Sequence, residues 1–214
     1  MVKVEMVDLK AQMASIGEQI SARIADVLAH GQFIMGPEVV ELEEALSQFC
    51  GAPHTVTCGN GTDALQIALM ADGIGPGDAV FVPGFTFTAT AEAVLVLGAR
   101  PVFCDIDPAT FNLDPESLKD AVDRVRKEGK LIPRAVISVD LFGLPGDYAR
   151  LVPYCDQEGL LLIADSAQAF GAAQGHRNVG VLAPVTTTSF FPAKPLGCFG
   201  DGGALFTDDA QPAR

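Results

Sequence analysis

The alternation of short apolar segments with helical patterns is the feature of this sequence that most restricts its fold. Five segments are predicted to be strands: residues 55–58, 79–82, 101–104, 135–139 and 160–164. Helical patterns recur between and after them, at residues 62–71, 88–97, 116–127 and 148–158. Strands that alternate with helices indicate βαβ units and a mainly parallel sheet. The last predicted strand is apolar on both faces, which predicts helices on both sides of the sheet and hence a three-layer αβα fold of the α/β class.

Two helices are predicted before the first strand. Apolar residues recur every three or four positions over residues 12–30, which is typical of an amphipathic helix, and Gly31 follows in the usual stop position. Pro37 suits the first turn of a helix and is expected to begin the second one.

Charge and composition exclude several classes of protein. Acidic residues outnumber basic residues 27 to 14, giving a formal net charge of −13, whereas a nucleic-acid-binding protein needs clustered Lys and Arg. No apolar run approaches the ~18–20 residues that span a bilayer, and the N-terminus lacks the pattern of a secretory signal. The 5 cysteines are scattered, which predicts reduced and mostly buried thiols rather than disulfides or metal ligands. We therefore expect a cytoplasmic protein with no nucleic-acid partner, no membrane partner and no metal.

Candidate ligand-binding residues follow the predicted strands, because ligands bind beyond the carboxyl ends of the strands in such sheets. The first strand is followed by Gly59-Asn60-Gly61-Thr62 and then by a helix. The unpaired N–H groups at the start of a helix suit a phosphate, and the Thr62 hydroxyl would add a donor. An ordinary helix N-cap, in which a side chain only satisfies orphan amides, is an equally good interpretation.

The same segment also matches a weak dinucleotide-binding pattern, G-x-G-x-x-A, through Gly59, Gly61 and Ala64. A dinucleotide-binding unit has an acidic residue at the end of the next strand, where it binds a ribose. Here that strand is followed by Pro83-Gly84, which counts against the interpretation.

A carboxylate and a lysine provide two further candidates. Asp165 follows the doubly apolar strand directly, where a carboxylate costs several kcal/mol unless donors or a cation meet it. It either caps the next segment or pairs with a protonated ring nitrogen. Lys194 is the only lysine after Lys130 and lies among apolar and rigid residues, which disfavour a charged ammonium. A lone lysine is usually a surface charge, but this context favours a reactive amine. A phosphate site, a buried carboxylate and such a lysine fit one cofactor, pyridoxal 5'-phosphate.

The sequence closely resembles the DegT-type nucleotide-sugar aminotransferases, which are fold-type-I pyridoxal-phosphate enzymes. The segments that carry the resemblance are GQFIMGPEVVELE, GNGTDALQIAL, PGFTFTATAEA, GARPVFCDIDPATFNLDP, DSAQAFGA and SFFPAKPLGCFGDGGA. They span nearly the whole chain, and the resemblance extends to the branch that aminates UDP-2-acetamido-2-deoxy-3-oxo-glucuronate.

The resemblance implies roles for individual residues. Lys194 would bind the aldehyde of the cofactor and move a proton, and Asp165 would pair with the ring nitrogen. Gln168 would hydrogen-bond near the ring hydroxyl. Phe87 would stack on the ring face, although plain core packing beside Phe85 is an open alternative. Three residues would hold the phosphate: Gly61, Thr62 and Ser189. Asp140 stands where many relatives carry histidine or another residue, so it receives no role.

The resemblance also implies the domain organisation and the partners. Residues 1–214 correspond to the pyridoxal-phosphate-binding large domain, and the smaller C-terminal domain of such enzymes is absent from the chain. The expected substrates are a nucleotide-linked keto-sugar and an amino-acid donor, glutamate, and the expected assembly is a homodimer. Two alternatives stay open: a truncated, non-catalytic cofactor-binding module, and a nucleotide-binding oxidoreductase domain.

Overall fold

The computed structural model describes residues 7–208, which divide into two compact units between Ala45 and Leu46. In the first unit, α1 (Leu9–His30) begins three residues before its predicted start, because the Asp8 carboxylate accepts a hydrogen bond from Ala11 N at 3.0 Å. It ends at Gly31 in the left-handed conformation, as predicted. The next helix, α2 (Pro37–Cys50), begins at the predicted proline and crosses the division between the units.

The second unit contains the alternating strands and helices. Its elements in chain order are β1 (His54–Cys58), α3 (Gly61–Ala71), β2 (Asp78–Pro83), α4 (Ala89–Val96), β3 (Arg100–Cys104), α5 (Pro115–Glu128), β4 (Ile132–Val139), a short 3-10 turn (Leu141–Gly143), α6 (Tyr148–Glu158), β5 (Leu161–Asp165), β6 (Ala173–Gln174), β7 (Arg177–Asn178), β8 (Val185–Ser189) and β9 (Gly203–Thr207). All five predicted strands and all four predicted helices of this region are present, with bounds that differ by at most a few residues.

The strands form a seven-stranded sheet in the order β1-β9-β8-β5-β4-β2-β3, and β6 and β7 form a separate two-stranded ribbon. Four neighbouring pairs are parallel, from β3 across to β8. Strand β9 is antiparallel to both β8 and β1. The prediction of a mainly parallel sheet is therefore confirmed, and β1 and β8 end at the same edge of the sheet.

Helices cover both faces of the sheet, which confirms the three-layer αβα prediction. In β2, Phe81 packs with buried residues of α5 and α6, such as Leu118 and Leu151. The adjacent Val80 faces the other way and packs with α3 and α4, for example with Leu65. This alternation follows from the two-residue period of a strand and produces two apolar layers around a doubly buried sheet.

Three of the five cysteines, Cys50, Cys104 and Cys155, are buried, as predicted, and all five are free. Within residues 7–208, no helix is both long enough and apolar enough to cross a membrane.

Candidate active site

The start of α3 leaves two backbone donors free. The Asn60 side chain caps the helix by accepting from Asp63 N at 2.8 Å, and its amide donates to the Asp63 carboxylate at 3.0 Å. Within the described residues, the N–H groups of Gly61 and Thr62 and the Thr62 hydroxyl have no recorded hydrogen-bond partner. Both interpretations of the sequence therefore apply: Asn60 is an N-cap, and two orphan N–H groups with the positive end of the helix dipole stay available to an anion.

Two glycines allow the start of α3 to lie directly against the ends of β8 and β9. A Cβ on Gly61 would stand 2.6 Å from the Cβ of Ser189, the last residue of β8. A Cβ on Gly203 would stand 2.5 Å from the carbonyl carbon and oxygen of Asn60. Only residues without a side chain fit such approaches. The Ser189 hydroxyl accepts from Phe191 N at 3.2 Å, so its own proton is free to be donated.

Asp165 lies at the carboxyl end of β5 with 8% of its surface exposed. Its carboxylate accepts hydrogen bonds from Ala167 N and from the Thr90 hydroxyl, both at 3.2 Å. Burial raises the pKa of Asp165, and these two bonds and the positive charge of Lys194 only partly offset that effect. Among residues 7–208, no cation is hydrogen-bonded to this carboxylate, so a cationic group of a ligand that approached it from the cavity side would be stabilised.

Lys194 follows a turn in which its own N–H donates to the carbonyl of Phe191 at 2.8 Å. The side chain is half-buried, and both Phe191 and Pro195 are exposed, so the segment is less enclosed than its apolar sequence predicts. Lys194 acts electrostatically on Asp165, whose hydrogen bonds come from Ala167 and Thr90 instead.

The two remaining predicted side chains are those of Phe87 and Gln168. Phe87 is 67% exposed and lines the cavity, so it is not a core residue; the neighbouring Phe85 instead contacts the rings of Phe111 and Phe142. Gln168 accepts from Phe142 N at 2.9 Å through Oε1, and its amide N–H groups have no hydrogen-bond partner among residues 7–208. The amide of Gln168 is thus oriented by the loop that follows β4.

One cavity of about 720 Å³ is lined by all seven residues that the sequence singles out: Gly61, Thr62, Phe87, Asp165, Gln168, Ser189 and Lys194. Five further residues line the cavity and were not predicted as site residues: Asn60, Asp63, Thr86, Phe191 and Asp201. The first four lie within two positions of a predicted residue, whereas Asp201 lies in the glycine-rich stretch that follows Lys194. The lining has anion donors at the start of α3, a buried carboxylate at β5 and an amine at the turn after β8. These residues fit pyridoxal phosphate, whose phosphate, ring nitrogen and aldehyde require those three groups.

Arg150 and Arg177 do not line the cavity. Arg150 pairs with Glu116 and Asp147, and Arg177 donates to the carbonyl of Val181. Strand β2 ends at Pro83, and the following residues up to Phe87 bear no carboxylate, so the ribose ligand of a dinucleotide site is missing.

The sequence and the fold of this chain are similar to those of known proteins. The family described as DegT/DnrJ/EryC1/StrS aminotransferase matches residues 14–214. The UDP-2-acetamido-2-deoxy-3-oxo-D-glucuronate aminotransferase of Pseudomonas aeruginosa is 50% identical over 208 residues, which cover 97% of this chain and 56% of that protein. A crystal structure of a DegT DnrJ EryC1 StrS aminotransferase from Brucella abortus is 50% identical and superposes with a TM-score of 0.96, over 99% of this chain and 57% of that one.

A more distant neighbour is the crystal structure of NtdA from Bacillus subtilis with bound cofactor PMP, which is 31% identical and has a TM-score of 0.90 over 100% of this chain and 47% of that one. The chain thus spans about half the length of the proteins that it matches. The match over nearly all of its own residues nevertheless decides the family. The chain belongs to the DegT/DnrJ/EryC1/StrS aminotransferase family.

Proposed function

We propose that this chain is the cofactor-binding part of a pyridoxal-phosphate-dependent aminotransferase, which transfers an amino group from an amino acid, glutamate, to a nucleotide-linked keto-sugar. The observation that carries the proposal is the cavity that contains the anion donors of α3, the buried Asp165 and Lys194. The names of the relatives support the reaction class, and the bound PMP of the Bacillus subtilis protein supports the cofactor.

The start of α3 binds the phosphate of the cofactor in this proposal. The N–H groups of Gly61 and Thr62 and the hydroxyls of Thr62 and Ser189 supply four donors. The described lining contains only one cationic side chain, Lys194, beside the carboxylates of Asp63, Asp165 and Asp201. Backbone dipoles and hydroxyls therefore hold the phosphate here, which is the usual property of a helix N-terminus.

When bound, pyridoxal phosphate supplies an aldehyde that carries the amino group and a ring that accepts electrons. Asp165 would keep a proton on the ring nitrogen, because the positive charge of the protonated nitrogen would stabilise a buried carboxylate that has no cation hydrogen-bonded to it. Phe87 covers one face of the ring and excludes water from it. Gln168, whose Oε1 is already occupied by Phe142 N, offers its amide N–H to the ring hydroxyl.

Lys194 would hold the cofactor at its aldehyde through Nζ, and as a free amine the same Nζ could accept and return a proton at the reacting carbon atoms. Its position on a short turn beside exposed residues leaves the side chain free to move between these two tasks. The cavity lies at the strand ends, where the substrate can enter from solvent.

The substrate and assembly are part of the same proposal. The Pseudomonas aeruginosa relative is named for a UDP-linked 3-oxo-glucuronate, and we take a sugar of this class as the amino acceptor. We also propose that the full-length protein acts in the cytoplasm as a homodimer, in biosynthesis of amino sugars for a surface polysaccharide. The free state of all five cysteines is consistent with a reducing compartment.

A covalent trapping experiment on the full-length protein tests the proposal. The protein is loaded with pyridoxal phosphate, reduced with borohydride and digested, and mass spectrometry locates the added cofactor mass. We expect this mass on the peptide that contains Lys194. In Lys194→Ala, we expect the added mass to be absent and the rate of amino transfer to fall at least about 10³-fold. The control is Lys130→Ala, which removes an exposed lysine outside the cavity.

Three results distinguish the alternatives. Cofactor mass on another lysine, or transfer by Lys194→Ala at the wild-type rate, refutes the assignment of Lys194. A protein that binds the cofactor but takes no nitrogen from glutamate or other amino acids is a non-catalytic module. Binding of a nicotinamide nucleotide with no uptake of pyridoxal phosphate supports an oxidoreductase.

A further inference from the structure

A second buried carboxylate lies behind the cavity, on the opposite face of the sheet. Val139 and Asp165 are register partners in β4 and β5, and both line the cavity. Side chains alternate between the faces of a sheet, so the next residues along the two strands, Asp140 and Ser166, turn away from it. Both are fully buried, and neither lines the cavity. The proposed function gives Asp140 no part.

The Asp140 carboxylate is held by three neutral donors. Oδ1 accepts from the Tyr148 hydroxyl at 2.6 Å and from Gly146 N at 2.8 Å, and Oδ2 accepts from the Ser166 hydroxyl. Burial is the main cause that raises the pKa of Asp140 to about 6, and the neighbouring Asp165 adds to the effect. The titratable groups that face Asp140 are Tyr148 from α6 and Asp165 from β5. No cation within the described part of the chain is bonded to it.

These contacts connect Asp140 to the parts of the cavity wall that orient a ligand. Its own N–H donates to the carbonyl of Asp165 at 3.0 Å, and Ser166 directly follows Asp165. The loop that returns to Asp140 through Gly146 also carries Phe142, whose N–H orients Gln168. The loop is tightly packed, since a Cβ on Gly146 would stand 2.7 Å from the Ser138 hydroxyl. Through Ser166 and Gly146, the Asp140 carboxylate therefore contacts the segment that carries Asp165 and the loop that orients Gln168.

We propose that Asp140 is a positioning residue of this site, which sets the orientation of Asp165 and Gln168 and adds a negative charge behind Asp165 without touching the ligand. The charge has a definite effect: an ionised Asp140 disfavours a second isolated anion at Asp165 and so favours a cation on the cavity side of Asp165. This inference rests on the proposed function only in taking that cation to be the ring nitrogen of pyridoxal phosphate.

The first test uses the full-length protein without cofactor. Carboxyl carbons of ¹³C-labelled aspartate report the titration of Asp140 and Asp165 by NMR. We expect Asp140 in the wild-type protein to titrate near pH 6, as its raised pKa implies, and the titration midpoint of Asp165 to fall in Asp140→Asn, because a like charge is removed. An unchanged midpoint of Asp165 in the folded variant refutes the electrostatic coupling.

The second test uses the loaded protein. In Asp140→Asn, we expect the pH midpoint of the cofactor's visible spectrum to fall by about half a unit and kcat to fall about tenfold, with little change in the KM for the sugar. A purely structural Asp140 would lower the amount of folded protein and leave the spectral midpoint in place. That result, or an unaltered kcat, overturns the proposal.

Tyr148→Phe is the second variant, and it decides the matter if Asp140→Asn does not fold. It removes one donor to Asp140 and keeps the charge, so we expect a higher titration midpoint of Asp140 and several-fold weaker cofactor binding. Tyr154→Phe is the matched control, because Tyr154 lies on the same helix and is not among the donors to Asp140. Equal behaviour of the two tyrosine variants refutes the positioning role.

The two proposals fail separately. If the wild-type protein binds no pyridoxal phosphate, the proposed function is wrong, whereas the coupling of Asp140 to Asp165 is still decided by the titrations of the cofactor-free protein.

Discussion

Substitution of Gly61 by alanine tests whether the close approach of α3 to β8 builds the phosphate site. The added Cβ would stand 2.6 Å from the Ser189 Cβ and 3.2 Å from its Cα. Carbon atoms in contact are normally about 3.5–4.0 Å apart, so the start of α3 or the end of β8 must move by about 1 Å. Rotation of the Ser189 side chain cannot relieve the contact, because the backbone of β8 fixes the positions of both the Cα and the Cβ.

The expected cost has two parts. Overpacking of this kind costs about 1–3 kcal/mol of folding free energy, and the better helix propensity of alanine returns at most about 1 kcal/mol. A displacement of about 1 Å also weakens the bonds from the N–H groups of Gly61 and Thr62 to a phosphate. A hydrogen bond to a charged group is worth about 1.5–3 kcal/mol, so loss of one predicts cofactor binding that is about tenfold to a hundredfold weaker.

Urea unfolding of the cofactor-free protein measures the first part, and titration with pyridoxal phosphate, followed by visible absorbance, measures the second. Gly200→Ala is the matched control, since an added Cβ meets no atom within 4 Å and the backbone there does not require glycine. Gly61→Ala with wild-type stability and wild-type affinity for the cofactor would show that α3 does not hold the phosphate.

Three further predictions follow from the contacts. Asn60→Ala removes the cap of α3, so it should lower the free energy of unfolding in urea by about 1 kcal/mol and weaken cofactor binding. The control is Asp114→Ala, which removes the cap of α5 and should lower stability by a similar amount without changing cofactor binding. Phe87→Ala should weaken cofactor binding in the same absorbance titration, and Phe85→Ala should not, because only Phe87 lines the cavity. The pKa of Asp140 is raised from 3.8 to about 6, so the folded state binds a proton that the unfolded state has released, and stability falls as pH rises between these values. The fall over the whole range is about 3 kcal/mol at 1.36 kcal/mol for each pH unit. Urea unfolding at pH 4 and pH 7 spans most of this range and should show about 2 kcal/mol as the difference between the wild-type protein and Asp140→Asn.

Local patterns were sufficient to predict five strands and four helices of the second unit. Helix α6 has its predicted bounds, and the other predicted strands and helices differ at their ends by caps and by one to three residues. Two strands of the sheet were not predicted. Strand β8 consists of Val185 followed by three threonines and a serine, so it lacks an apolar pattern although it is mostly buried, and β9 begins at Gly203 within a glycine-rich stretch.

The order of the strands was also beyond prediction from local patterns. Strand β9 is inserted between β1 and β8, and it runs antiparallel to both. No property of residues 203–207 alone encodes these partners, because the pairing with β1 joins segments that are far apart in the chain. The candidate residues nevertheless line one cavity. The strand-end rule pointed to Gly61, Thr62, Asp165 and Lys194, whereas the family resemblance supplied three more: Phe87, Gln168 and Ser189.

The reverse side of the sheet carries a buried carboxylate to which local patterns assigned no role. Asp140 has no motif, and its importance depends on partners that come from α6 and from the residue after Asp165. Two carboxylates at adjacent strand ends, one on each face, are costly to bury, and three neutral donors do not cancel the charge of the rear one. The cost is reduced when a cation lies on the cavity side of the pair. We therefore expect pyridoxal phosphate to raise the thermal unfolding temperature of the wild-type protein more than that of Asp140→Asn. Inorganic phosphate is the control, because it lacks a ring nitrogen. The difference between the two proteins should be larger with the cofactor than with inorganic phosphate. Equal stabilisation of both proteins by the cofactor would mean that the rear carboxylate does not act on the cavity side of the site.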